Sequence, residues 1–222
     1  MERGSEGRSW RGIGLILRSP AALLLMGAFV CANFVAVIFL TWTPTFLVEK
    51  FHYSIGAAGL TGALYIHLAS GVAVPLAGTL ADRWEGWRRG GRMLVQMVGL
   101  LVGAAFVFWV GKASDTISLV VAMCGFGVCK GFYDSGIFAS LYDVIDPRSR
   151  GAAAGLMNTV GWGGGALGPL FVGLACKYGH GATKTENMSD AIAFCGAIYL
   201  LAAALVLAAW LISKSRPAWS EG

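Results

Sequence analysis

The sequence predicts an all-α membrane protein with six transmembrane helices. Of its 222 residues, 56% are hydrophobic, and the mean hydropathy is +0.66, whereas a soluble domain averages about 45 to 50% apolar residues. Six apolar runs each exceed the roughly 18 to 20 residues that cross about 30 Å of hydrocarbon. Two runs with polar side chains are followed by one without, and this order recurs, as a three-plus-three inverted repeat would produce. The predicted spans are Ala21 to Val48, Ser54 to Ala81, Met93 to Gly111, Ile117 to Ile145, Gly151 to Cys176 and Asp190 to Ser213.

The first span has recognisable signals at both ends. Ser19 can cap the helix, and Pro20 suits the first helical position. The far end reads TWTPTFL, where Pro44 removes one backbone hydrogen bond and Trp42 suits the interfacial aromatic belt. Asn33 lies near mid-depth, where a polar side chain needs a protein or water partner.

Two residues of the second span are candidates for more than packing. His67 lies near mid-depth and could respond to protons or bind substrate, although a lone His in a helix is as commonly a packed residue with one hydrogen bond. Pro75 removes the backbone hydrogen bond to Gly71 and kinks the helix. The kink is either a hinge or a feature of packing.

The fourth span places a charged pair inside an apolar run. Lys130 and Asp134 are four residues apart and therefore lie on one helix face. Each charge at a membrane helix centre costs roughly 2.5 to 3.5 kcal/mol, whereas such a pair contributes only about 0.2 to 0.5 kcal/mol on a solvated helix. Because the pair does not offset its insertion cost, we predict a functional cavity that solvates it. The alternative is a structural pair that neutralises itself.

Polar side chains near mid-depth separate the spans by role. The third and sixth spans carry none comparable, so we predict that they pack outside while the other four enclose a polar region. The aromatic side chains of Tyr65, Tyr133 and Trp162, in the second, fourth and fifth spans, line a substrate path or serve only in packing. The candidate substrate-binding or proton-binding residues are Lys130, Asp134, His67, Asn33, Asn158, Trp162 and Tyr133.

The fifth span is rich in small residues. Pro147 is expected to end the fourth span, and Ser149 is expected to cap the fifth. Glycines at positions 151, 155, 161, 165 and 168 permit close helix approach, and Pro169 predicts a bend. Residues 163–168 match G-x-G-x-x-G, but no strand precedes them, so no dinucleotide site is expected.

Basic residues predict the orientation of the chain. Twelve Lys and Arg residues lie in the N-terminal segment, the second and fourth loops and the tail, against four Lys residues on the opposite side. The positive-inside rule then places both termini in the cytoplasm, in an inner or plasma membrane. We therefore expect a cytoplasmic segment at 1–18, a six-helix transmembrane domain at 19–213 and a cytoplasmic tail at 214–222.

Composition and spacing argue against several other functions. The three His residues are scattered, the five Cys residues show no paired C-x-x-C spacing, and no nucleophile lies beside a base. No enzyme activity, cofactor or metal site is expected. The net charge of +5 is spread over short segments between apolar runs, so no nucleic-acid partner is expected either.

The loop after the second span carries a specific motif. It reads GTLADRWEGWRRGGR from Gly78 to Arg92, and its start matches a G-x-L-a-D-R pattern that basic residues follow. Here the chain resembles the major facilitator superfamily, although Trp84, Glu85 and Trp87 in the spacer depart from that pattern. The stretch from Asp143 to Gly173, with Arg-Gly, small residues, Asn and a Gly-rich run ending in Pro, resembles the corresponding eleventh helix.

The resemblance covers residues 19–213 and implies the C-terminal six-helix half of a major facilitator fold. In this family the loop carboxylate, here Asp82, sits at the start of the fifth helix and latches one conformational state. The alternative is an Arg-rich loop that only sets topology. The latch residues that the resemblance implies are Gly78, Asp82, Arg83, Arg88, Arg89, Arg92 and Arg150.

The resemblance also implies secondary active transport by alternating access around a mid-membrane site. The TWTPTFL ending and the Lys of the fourth span resemble the organic-anion branch, so we expect a small organic anion and proton coupling. The expected partners are membrane lipid, the small-molecule substrate and either an N-terminal half or a second copy. The alternative function is a non-transporting structural or regulatory membrane component that needs a partner half.

Overall fold

The computed structural model describes Gly14 and residues 16–215, and all regular structure in this part of the chain is helical. It contains six helices long and apolar enough to cross a membrane, which confirms the predicted fold class. The predicted terminal segments lie largely outside the described residues. The spans are Pro20–Phe51, Ile55–Trp87, Gly91–Lys112, Thr116–Asp143, Pro147–Tyr178 and Lys184–Lys214.

Two of the spans are interrupted. The fourth consists of Thr116–Asp134 and the short helix Ile137–Asp143. The fifth begins with a 3-10 turn, Pro147–Ser149, and continues as Arg150–Gly165 and Leu167–Tyr178. The second interruption lies just before Pro169, where the sequence predicts a bend.

The helix ends confirm some predicted signals and correct others. The Ser19 hydroxyl accepts a hydrogen bond from the Ala22 amide at 3.4 Å, as the sequence predicts. Ser149 makes no capping bond with its side chain; instead Asp146 accepts from the Arg148 amide at 2.7 Å and caps the 3-10 turn. Ser149 is already in a helical conformation, so its hydroxyl is not positioned as an N-cap.

The second span is longer than the sequence indicates. It continues to Trp87 rather than ending at Ala81, so most of the G-x-L-a-D-R motif is helical. The turn to the third span contains Gly90, whose φ of 76° is left-handed. Only a residue without a Cβ takes this conformation readily.

Packing leaves the second and fifth spans partly uncovered. About 28% of the apolar window of the second span and 22% of that of the fifth are buried, against 44 to 50% for the other four. The third and sixth spans, expected to be supports, pack extensively on each other. We call the uncovered surfaces the open sides of the second and fifth spans. Exposed apolar residues on them are Leu64, Leu68, Val72, Leu76, Val160, Leu167, Leu170 and Leu174.

Candidate functional site

The charged pair of the fourth span lies where the helix breaks. The Lys130 ammonium donates a hydrogen bond to the Asp134 carboxylate, and the helix ends at Asp134 before resuming at Ile137. The Lys130 side chain is 19% exposed and that of Asp134 is 36% exposed. Both side chains are therefore partly exposed at the surface of the bundle.

Small residues bring the second span against the fourth beside this pair. A Cβ on Gly131 would lie 2.7 Å from the Ala73 Cβ and 2.9 Å from the Ser70 carbonyl oxygen. A Cβ on Gly127 would lie 2.5 Å from the Ile66 carbonyl oxygen. The backbones are in direct contact, so any larger residue at Gly127 or Gly131 would push the second span away from the charged pair.

Two predicted site residues lie inside the bundle. Asn33 is buried and donates from Nδ2 to the Phe29 carbonyl at 2.9 Å, within its own helix. A Cβ on Gly165 would lie 3.2 Å from the Asn33 carbonyl oxygen, so Asn33 marks the contact between the first and fifth spans. Tyr133 is 1% exposed and faces the core, away from the open sides.

The remaining candidates lie on the open sides. His67 is exposed on the second span, and Trp162 is exposed on the fifth. Asn158 is exposed and donates to the Ala154 carbonyl at 3.1 Å. The seven candidates do not form one hydrogen-bonded cluster among the described residues, because both Asn side chains bond to their own helices.

The second-loop motif forms a network of charges around one arginine. Arg92 donates from Nε and Nη2 to Asp82 Oδ1 at 3.0 and 2.9 Å, and from Nη1 to Asp143 Oδ2 at 2.9 Å. Asp143 ends the short helix of the fourth span. Arg92 thus links the end of the second span to the fourth, and the expected contact of Asp82 with the fifth span stays a prediction.

The unusual spacer of the motif has a structural role. The Glu85 carboxylate accepts the backbone amides of Gly90 at 3.0 Å and of Arg92 at 3.2 Å. It therefore satisfies two amides at the start of the third span, where an acidic group is also favoured by the helix dipole. Glu85, which departs from the family pattern, therefore caps the start of the third span.

The other latch residues have separate surroundings. Gly78 is half-buried, while Arg83 and Arg89 are exposed. Arg150 donates from Nη2 to the Tyr142 carbonyl at 3.3 Å. The Arg88 guanidinium lies 5.3 Å from the Trp210 ring centroid, so it contacts the sixth span rather than Asp82.

One polar residue that the sequence does not single out contacts this region. Gln96 of the third span is fully buried and donates from Nε2 to the Ser140 hydroxyl at 2.6 Å. A Cβ on Gly136, in the break after Asp134, would lie 2.8 Å from that Nε2. Gln96 and Arg92 are one helix turn apart, so the third span holds the short helix at two points. The sequence feature that could have identified Gln96 is its position four residues after Arg92, an arginine of the motif.

The opposite end of the bundle is also tied together by a lysine. Lys50 donates to the Gly111 carbonyl and to the Ser189 hydroxyl, both at 3.1 Å. Lys112 pairs with Asp190 at 2.5 Å beside a cavity of about 440 Å³. These bonds join the ends of the first, third and sixth spans, so relative motion of these three spans is restrained there.

Comparison with known proteins places this geometry in a family. The family model described as Major Facilitator Superfamily matches residues 2–169. The chain is 29% identical over 170 residues to "Probable anion transporter 4, chloroplastic" of Oryza sativa subsp. japonica, covering 74% of this chain and 28% of that protein. It is 23% identical over 216 residues to "Hexuronate transporter" of Bacillus subtilis (strain 168), covering 92% and 48%.

A solved structure has the same fold. It is a bacterial homologue of the human lysosomal transporter Spinster, in an inward-facing and unoccupied conformation. The superposition gives a TM-score of 0.76 at 17% identity and covers 96% of this chain and 51% of the other. The chain spans about half, or less, of the length of the proteins that it matches.

Proposed function

The chain belongs to the major facilitator superfamily, and on this premise we propose that it is one half of a secondary active transporter that moves a small organic anion with a proton by alternating access. The observation that carries the proposal is the Lys130–Asp134 pair, which is partly exposed inside a membrane span. Ionisable residues in spans mark substrate and proton paths by default.

Lys130 supports an anionic substrate. A half-buried ammonium on an otherwise apolar helix attracts a carboxylate or another anion more strongly than it would in bulk water. Two relatives are named as an anion transporter and a hexuronate transporter, which favours the same class for this chain. An anion that competes for Lys130 would displace Asp134.

Asp134 supports proton coupling in this scheme. Once the anion takes Lys130, the Asp134 carboxylate has lost its cation partner in a poorly solvated place, and protonation removes the unpaired charge. The anion and the proton would then bind together. Release of the anion returns Lys130 to Asp134 and expels the proton.

The open sides of the second and fifth spans support a requirement for a second half. His67, Asn158 and Trp162 lie on these sides, and contact with lipid would leave polar groups unsatisfied at a cost of several kcal/mol each. Covering them with protein satisfies them and closes a shared aqueous space. We propose that the partner is a separately encoded N-terminal half or a second copy of this chain.

The network at Arg92 supports a conformational role for the motif loop. Both of its carboxylate partners are partly exposed, so the network can open without creating a fully buried charge. We propose that Asp82 exchanges between Arg92 and the start of the fifth span as the transporter changes state. If Asp82→Asn lowers the rate of uptake in the unmodified chain but not in an Arg92→Gln background, the result would support this exchange. Additive losses of uptake rate in the two variants would argue against it.

The orientation is proposed from the charge asymmetry of the loops. Both termini and the motif loop then face the cytoplasm of an inner or plasma membrane. Single cysteines introduced at Ser5 and at Gly86, which is exposed and has no atom within 4 Å of its Cβ, should be protected from a membrane-impermeant reagent in intact cells, whereas one at Thr183 should react. The reverse pattern would contradict the orientation.

Uptake of labelled glucuronate into proteoliposomes tests the function. The chain is reconstituted alone at high density and together with the product of the reading frame directly upstream. We expect uptake that is lost in Lys130→Ala. The control is Lys112→Ala, which removes a lysine that pairs with Asp190 at a span end and should retain uptake. Absence of uptake of glucuronate, phosphate and other small anions from both preparations would favour the non-transporting alternative, which the half-length match also permits.

A further inference from the structure

Two cations share one aromatic ring where the second loop meets the sixth span. The Arg88 guanidinium lies 5.3 Å and the Lys214 ammonium 4.0 Å from the Trp210 ring centroid. The ring is held in place by the turn before the third span, because a Cβ on Gly90 would lie 2.5 Å from its Cδ1 atom. Both cations therefore lie close to one aromatic ring whose position is fixed by packing.

Neither cation has a carboxylate partner among the described residues. The acidic groups of the same loop are already engaged, because Asp82 bonds to Arg92 and Glu85 bonds to two backbone amides. Two positive charges around a single ring repel each other, and cation–π attraction offsets this only in part. An anion at this place would relieve the repulsion and accept hydrogen bonds from both groups.

The position along the sixth span matches the edge of the hydrocarbon. Residues 191–212 are uncharged and span about 33 Å at 1.5 Å per residue, close to the thickness of the hydrocarbon core. Trp210 thus lies near the boundary, where aromatic side chains are enriched, and Lys214 lies just outside it. The anion would sit at the level of lipid headgroups.

An apolar surface continues from the charged site into the membrane. Leu211 and Leu207 lie one and two turns from Lys214 on the same side of the sixth span, and they are 54% and 38% exposed. An acyl chain attached to the anion would lie against them. A free inorganic anion would make no use of this surface.

We propose that Arg88 and Lys214, placed around Trp210, bind the phosphate headgroup of an anionic phospholipid whose acyl chain lies along Leu207 and Leu211. The site is on the sixth-span side of the molecule, separate from the Lys130–Asp134 pair and from the open sides. It gives Arg88 a role outside the Asp82–Arg92–Asp143 network. Bound lipid would tie the second loop to the sixth span.

Native mass spectrometry of the full chain in detergent tests the proposal, with phosphatidylglycerol, phosphatidylcholine and inorganic phosphate as separate probes. The Arg88→Gln/Lys214→Gln double variant should bind phosphatidylglycerol about tenfold more weakly than the unmodified chain. The control is Lys177→Gln/Lys184→Gln, which removes two exposed lysines at the other end, one of them also 4.9 Å from an aromatic ring. The control should bind normally.

Two further measurements keep the result decisive. Arg88→Lys preserves the charge and should retain phosphatidylglycerol binding within about twofold, which a variant that merely disturbed the turn would not. Phosphatidylcholine binding should be the same in all variants. Equal phosphatidylglycerol binding by the double variant and the unmodified chain would overturn the site, and competition by millimolar inorganic phosphate would overturn the assignment to a lipid.

Discussion

Two glycines of the fifth span should respond in opposite ways to the same substitution. A Cβ on Gly168 would lie 2.6 Å from the Phe34 carbonyl oxygen and 2.8 Å from the Ile38 Cγ1 atom, so Gly168→Ala forces the first span outward. Overpacking of this kind costs about 1 to 3 kcal/mol. No atom lies within 4 Å of a Cβ on Gly155, and alanine in a helix is favoured over glycine by about 0.5 to 1 kcal/mol.

The two variants should therefore differ in unfolding free energy by about 1.5 to 4 kcal/mol. For a chain of this size that corresponds to roughly 3 to 16 °C in the thermal midpoint. Thermal unfolding of the isolated chain in detergent measures the difference, and Gly163→Ala, also with no atom within 4 Å of its Cβ, should behave like Gly155→Ala. Equal destabilisation by Gly168→Ala and Gly155→Ala would refute the assignment of a packed side and an open side to this span.

Three other substitutions probe the charged and polar contacts. Asp134→Asn should retain exchange of substrate across the membrane but lose accumulation driven by a pH gradient; normal gradient-driven accumulation would remove Asp134 from the mechanism. Arg92→Gln should lower the unfolding free energy by about 1 to 2 kcal/mol, since its ion pairs are partly exposed, and an unchanged thermal midpoint would show that the network contributes nothing to stability. Gln96→Leu should cost about 1 to 2 kcal/mol by leaving the Ser140 hydroxyl unpaired, and Ser140→Ala in the same chain should restore most of it; additive losses would contradict their coupling.

The six spans could be predicted because length and apolar composition alone decide whether a segment crosses a bilayer. The end of the second span could not be predicted, because the Arg-rich and Trp-rich stretch after Ala81 has the composition of a loop. The turn that follows this stretch is fixed by Glu85, whose carboxylate accepts from amides five and seven residues ahead. A sequence pattern does not reveal such a turn before its geometry is known.

The arrangement of the candidate residues could be predicted only in part. The depth of Asn33 and Tyr133 follows from their distance to the span ends, but their direction does not, because spans that are apolar nearly all round give no periodic signal for one face. The structure directs both residues inward, whereas the four-residue spacing of Lys130 and Asp134 correctly indicated a pair. A criterion of mid-span depth does not select Gln96, which lies near the end of the third span, and its importance comes from a contact with the break in the fourth span.

We propose that the open sides of the second and fifth spans meet a second half. Cysteine crosslinking in native membranes tests it most directly, in a chain whose own five cysteines are replaced. Single cysteines at Leu68 and Leu170 probe the open sides, and cysteines at Phe108 and Leu201 probe the third and sixth spans, with all four positions similarly exposed at 53 to 60%. We predict crosslinks to a second polypeptide from Leu68 and Leu170 and none from Phe108 and Leu201, whereas crosslinks confined to Phe108 and Leu201 would contradict the claim.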